Sequence, residues 1–122
     1  MNLEILLFQA LRASWDIDTA YKRKGGKGLP DNQCKVTAEI IQDFLGGDIL
    51  RCFYGEGESH YWNRLPDGRV IDLTSGQFSF GDGINPAFEE GELYNRRLTR
   101  YARLKNRVVQ YLQEEKWLGL NH

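Results

Sequence analysis

At 122 residues the chain has room for one domain, since domains usually span about 100–200 residues. Apolar residues make up 41% of it, with six Phe, six Tyr and three Trp, which is enough for a real core and excludes an intrinsically disordered chain. Sixteen basic and seventeen acidic side chains leave a formal charge of −1, excluding the strong overall positive field behind nonspecific nucleic-acid or membrane binding.

Near the N-terminus, the run Ile5-Leu6-Leu7-Phe8 is far shorter than the roughly 20 apolar residues a bilayer span needs, and Glu4, Gln9 and Arg12 break it. It predicts neither an export signal nor a membrane partner. Leu3, Leu6, Leu7, Ala10 and Leu11 recur at steps of three and four, so residues 3–11 predict a helix ending near Ser14–Trp15. Residues 16–33 turn irregular. Lys22-Arg23-Lys24-Gly25-Gly26-Lys27-Gly28, followed by Pro30, has the pattern of a long surface loop. Its glycines and lysines lack the GxxxxGK[ST] order and follow no strand, so it is not a phosphate-binding P-loop.

A second helix is expected over 34–45, where Val36, Ile40, Ile41, Phe44 and Leu45 share a face, Asp31 or Asn32 can cap the start, and Gly46-Gly47 ends it. Three strand-like runs follow at 48–54, 59–65 and 69–74, separated by Gly55-Glu56-Gly57 and by Pro66-Asp67-Gly68, the signature of an antiparallel meander. Residues 75–95, rich in Gly, Asn, Pro and acids, read as loop with room for a short extra turn. A last helix is expected over 96–116. Residues 1–122 are therefore expected to form one α+β domain: N-terminal helices, an antiparallel β-meander of three or more strands and a C-terminal helix.

Chemistry concentrates at three residues. Cys34 falls in the first turn of the second helix, where unpaired backbone N–H groups and the positive dipole end stabilise a thiolate and can hold an oxyanion. A lone cysteine is more often a small buried hydrophobe, and Cys52, alternating with Leu50 and Tyr54, fits that description. His60 stands in the aromatic strand Ser59-His60-Tyr61-Trp62-Asn63, and besides it the chain holds only the terminal His122. Asp72 interrupts the apolar run Val70-Ile71-Asp72-Leu73, where an unpaired carboxylate would be expensive to bury.

Hairpin geometry decides whether the last two meet. Pro66-Asp67-Gly68 suits a three-residue loop, a type I turn closed by a left-handed glycine. In that register Arg64 pairs with Val70, Trp62 with Asp72 and His60 with Thr74. His60 and Asp72 then become diagonal neighbours on one face, with backbones about 7–8 Å apart. A four-residue loop would put them on opposite faces.

A thiolate, an imidazole to move its proton and a carboxylate to orient the imidazole are the parts of nucleophilic acyl transfer. Gln33 is a candidate second oxyanion donor, or else a solvated helix-start residue. Trp62 is a candidate cleft wall, though strand aromatics are more often core. The chain order Cys, His, Asp on a helix followed by an antiparallel meander resembles the papain-like and transglutaminase-like thiol superfamily. More closely, residues 32–38 (Asn-Gln-Cys-Lys-Val-Thr-Ala), 46–50 (Gly-Gly-Asp-Ile-Leu), 60–65 (His-Tyr-Trp-Asn-Arg-Leu), 67–74 (Asp-Gly-Arg-Val-Ile-Asp-Leu-Thr) and Gln77-Phe78 resemble the bacterial YunG-like family. The resemblance covers about 32–78, and Asp31-Asn32 and the basic loop before them depart from its pattern. It implies the thiol-superfamily core and names no substrate.

The expected function is a cysteine-dependent acyl-transfer or amide-hydrolysing enzyme acting on a small acyl or peptide substrate, with Cys34, His60 and Asp72 as its triad and no cofactor. The alternative is a non-catalytic interaction module on the same scaffold, docking a protein partner through Arg96, Arg97, Arg100, Arg103 and Arg107. A metal site built from Cys34, His60 and Asp72 is the third reading, and it lacks the usual ligand spacing of zinc sites. Two cysteines without a CxxC pair suit a reducing, cytoplasmic setting. Although residues 96–107 hold six basic side chains and no acid, the overall charge predicts no tight nucleic-acid binding. Titration with duplex and single-stranded oligonucleotides checks this: submicromolar affinity that collapses with added salt is the contrary outcome.

Overall fold

The computed structural model describes residues 2–54, 58–74, 89–90 and 99–115. Helix α1 spans Leu3–Ser14, with the Asn2 side chain accepting from the Glu4 N–H at its start. Helix α2 spans Cys34–Leu45 and helix α3 spans Thr99–Glu114. Strands β1 (Asp48–Tyr54), β2 (Glu58–Arg64), β3 (Val70–Ile71) and β4 (Glu89–Glu90) form one antiparallel sheet in the order β3-β2-β1-β4. This is the expected α+β arrangement of N-terminal helices, antiparallel sheet and C-terminal helix.

The apolar stripes read from the sequence become the interhelical core. Leu6, Leu7, Ala10 and Leu11 of α1, Val36, Ile40 and Ile41 of α2, and Leu104, Val108 and Leu112 of α3 close on one another with Trp15 and Leu65. Trp15 Nε1 donates to Thr37 Oγ1 at 2.9 Å, so the indole enters this core with its polar edge satisfied. Asn63, buried on β2, donates from Nδ2 to the Ala38 carbonyl at 2.9 Å and pins α2 to the sheet. Leu50, Cys52 and Trp62 form a second, smaller cluster.

Several boundaries differ from expectation, each for a physical reason. The third strand is shorter than 69–74, because the chain leaves the ladder after Ile71 and turns at Leu73–Thr74. Neither Asp31 nor Asn32 caps α2. The cap residue is Gln33, with no side-chain cap bond, while Asn32 adopts φ 60° and donates to the Lys24 carbonyl instead. Within 75–95, expected to be loop, Glu89–Glu90 pairs with β1, Leu50 opposite Glu90 and Arg51 opposite Glu89. Two glutamates carry little strand propensity, and it is pairing to β1's remaining edge that makes them a strand. Of the expected 96–116 helix, residues 96–98 and 116 lie outside the described residues, as does Gln77-Phe78. Among the described residues no helix is long and apolar enough to cross a membrane.

Gly47 joins α2 to β1 at φ +85°, where a Cβ would lie 2.1 Å from the Arg64 carbonyl oxygen. The collision is with backbone on the strand that carries His60, so no side-chain rotation relieves it. Gly47→Ala should therefore destabilise the fold by about 2 kcal/mol or more, combining left-handed strain with displacement of β2. Urea unfolding at neutral pH measures it, and a change within about 0.5 kcal/mol, typical of a surface substitution, is the contrary result.

Candidate active site

Cys34 is the first residue of α2 and is partly exposed. The absence of a side-chain cap leaves the helix start facing its surroundings with backbone alone. The Gln33 side chain turns backwards instead: its Nε2 donates to the Asp16 carbonyl at 2.9 Å and its Oε1 accepts from Thr19 Oγ1 at 2.9 Å. Gln33 is fully buried, so it is not a solvated helix-start residue, and its amide anchors the loop that delivers Cys34. Cys34 Sγ lies 3.8 Å from the Ser59 carbonyl oxygen, one residue before His60.

The β2–β3 turn has the three-residue form. Leu65 N donates to Arg69 O at 2.8 Å, Gly68 N donates to Leu65 O at 2.9 Å, and Gly68 takes φ +89°. Arg64 faces Val70 and Asn63 faces Ile71, the register the turn predicts. His60 and Asp72 accordingly meet, with Nε2 2.5 Å from Asp72 Oδ2. The other carboxylate oxygen receives the Thr74 hydroxyl at 3.5 Å, a long contact from a buried residue. Sequence reasoning placed Thr74 only as a ladder partner and missed this contact. The hydroxyl two residues beyond the carboxylate is the local signal that could have found it.

His60 is almost completely buried, and its ring stacks on Trp62 with centroids 5.5 Å apart and planes 21° from parallel. Trp62 belongs to the cluster with Leu50 and Cys52, so it is both core and wall to the imidazole. Burial disfavours the charged imidazole, but hydrogen bonds to Asp72 and to the Cys34 side chain outweigh it and push the His60 pKa up to about 9. With Nε2 engaged by Asp72, Nδ1 is the ring nitrogen left for the Cys34 side chain. Cys52 sits directly across the ladder from His60 and is buried, and that burial pushes its thiol pKa up. Among the described residues no group of three or more His, Cys, Asp and Glu is arranged to hold a metal ion.

The basic face of α3 is turned largely to the loop between α1 and α2. Arg107 makes a two-pronged ion pair with Asp18, at 2.5 and 2.8 Å, and holds that carboxyl below the usual range. Arg103 reaches the Asp18 carbonyl at 3.4 Å, and the Arg100 guanidinium lies 5.3 Å from the centre of the Tyr21 ring. Lys105 pairs with Asp43 of α2 at 2.9 Å, beside a Tyr101–Asp43 hydrogen bond. Arg96 and Arg97 lie outside the described residues.

Fold and site together define an α+β protein with a cysteine at a helix start and a histidine–carboxylate pair on the adjoining sheet. The family model described as YunG protein matches residues 4–113, and the chain belongs to that family. No curated protein and no solved structure matches it.

The raised His60 pKa makes a prediction about stability. A folded-state value of about 9 against an ordinary 6.5 means that the native protein holds a proton the unfolded chain releases between those limits. The resulting stabilisation is complete below pH 6.5 and is lost as pH rises through about 9. Urea midpoints should therefore fall across pH 6.5–9.5, and Asp72→Asn should flatten that slope by removing the main counter-charge. A midpoint rising with pH would contradict the assignment.

Proposed function

We propose that this protein is a cysteine-dependent acyl-transfer or amide-hydrolysing enzyme, in which Cys34 is the nucleophile, His60 the acid and base, and Asp72 the group that orients the imidazole. The observation that carries the reading is the position of His60, buried between the Asp72 carboxylate and the Cys34 side chain, each contributed by a different part of the chain. Such an arrangement supports a papain-like or transglutaminase-like core, and its free thiol suits the reducing cytoplasm.

In the forward step the Cys34 sulfur attacks an acyl carbon, forming the C–S bond, while the carbonyl π electrons move onto oxygen. The backbone N–H groups at the start of α2 supply oxyanion stabilisation there, and Gln33 positions that start through Asp16 and Thr19. Collapse breaks the bond to the leaving nitrogen or oxygen, which takes the imidazolium proton and departs as amine or alcohol. The thioester then yields to water or a second nucleophile: His60 removes the incoming proton and keeps it as imidazolium, while the C–S bond breaks and its electron pair returns to sulfur. Asp72 holds the imidazole through Nε2. Trp62 excludes water from one face of the ring.

The test uses p-nitrophenyl acetate, a small activated ester. Wild type should release a burst of one equivalent of p-nitrophenolate, with acetyl found on the Cys34 peptide by mass spectrometry. Cys34→Ser should abolish the burst. His60→Ala should slow acylation by about 10²–10⁴, the usual worth of a positioned base. Asp72→Asn should reduce turnover more than it reduces the burst rate. Acetylation of Cys34 and Cys52 at equal rates, or a burst indifferent to His60, would favour the non-catalytic interaction module.

A further inference from the structure

Four exposed cations, Lys22, Arg23, Lys24 and Lys27, sit within six residues on the loop leading to Cys34. Elsewhere Arg64, Arg69, Lys105 and Arg107 face carboxylates, but among the described residues none of these four does. Lys22 instead lies over its neighbour Tyr21, 5.3 Å from the ring centre. Lys22 and Arg23 hold φ 55° and 54°, consecutive left-handed values that long side chains seldom adopt.

The loop is tied to the approach to the nucleophile. Tyr21 N donates to Asn32 O at 2.8 Å, and Asn32 Nδ2 donates to Lys24 O at 2.6 Å. A Cβ at Gly25 would lie 3.1 Å from Asp31 O and 3.4 Å from Gln33 Nε2, so this turn presses on the residues just before Cys34. Asn32 is two residues from Cys34, no more than about 7 Å between Cα atoms. The cationic segment is thus fastened to residues 31–33, immediately before Cys34, while the chain as a whole carries a charge of −1.

We infer that this loop recognises an anionic group on the substrate, so that Cys34 acts on small acyl compounds carrying a carboxylate or phosphate set back from the reacting carbonyl. The inference rests on the acyl-transfer reading and narrows its substrate class. One exposed cation contributes little in water, but four on one short loop raise the local concentration of anions. Binding far from the reacting carbon can also orient the acyl group.

Two small alkylating reagents test it without knowledge of the substrate. Iodoacetate is anionic and iodoacetamide is neutral, and the ratio of their rates at Cys34 reports local potential. With His60 and the helix start retained, K22E/R23E/K24E/K27E should lower that ratio at least threefold, roughly the scale of electrostatic steering, at about 10 mM ionic strength. Added salt should shrink the wild-type ratio and raise the variant's, since the reversed charges repel the anionic reagent. The double variant K22E/K24E gives the same readout if the quadruple variant does not fold. In competition at equal ionic strength, stronger protection by orthophosphate than by succinate identifies a phosphate, and the reverse identifies a carboxylate. An unchanged ratio in either folded variant overturns the inference and leaves the acyl-transfer reading standing. Wild-type Cys34 inert to both reagents overturns the acyl-transfer reading and the inference with it.

Discussion

Contact between His60 and Asp72 depends on the register of one short hairpin. The two residues reach hydrogen-bonding distance only because Pro66-Asp67-Gly68 closes the turn in three residues with Gly68 left-handed. A slip of one residue would reverse every side chain of β3 and leave a buried imidazole without its carboxylate. Further contacts hold that register. Asp67 accepts from the Arg69 backbone and side chain, and Arg69 reaches Glu4 of α1 with two hydrogen bonds, at 3.0 and 2.8 Å. The turn is thereby joined to the helical layer, although these partners are exposed and each bond contributes modestly.

The same logic places the sulfur. Cys34 begins α2, whose position is set by its apolar face in the interhelical core, by Asn63 gripping the Ala38 carbonyl, and by Trp15 on Thr37. The loop before it is held from two directions. Gln33 and Thr19 close a buried polar knot inside it, and Arg107 of α3 fastens Asp18 from outside. Much of the basic character of α3 therefore has an intramolecular use, whereas among the described residues no cation of 22–27 faces a carboxylate.

Electrostatically the site opposes two large effects. Burying His60 favours the neutral ring, while the carboxylate on one side and the sulfur on the other favour the charged one. The charged form prevails because hydrogen bonds to both partners outweigh the cost of burial. A proton held this way is available to a leaving group, and Trp62 against the ring face limits reorientation.

The amino-acid sequence alone determined the helical stripes of α1 and α2, the end of α2 at Gly46, the meander and the His60–Asp72 register, since each follows from local periodicity or from turn chemistry within a few residues. Cys34 at a helix start was legible for the same reason. Other features required distant partners. Gln33 reads as a surface residue until Asp16 and Thr19 fold over it, β4 exists only because β1 offers an edge, and the arginines of α3 look unpaired until Asp18 meets Arg107 across 89 positions. Local sequence fixes backbone conformation and facing; long-range closure, which joins residues remote in the chain, decides which polar groups satisfy one another and which charges remain open to a ligand.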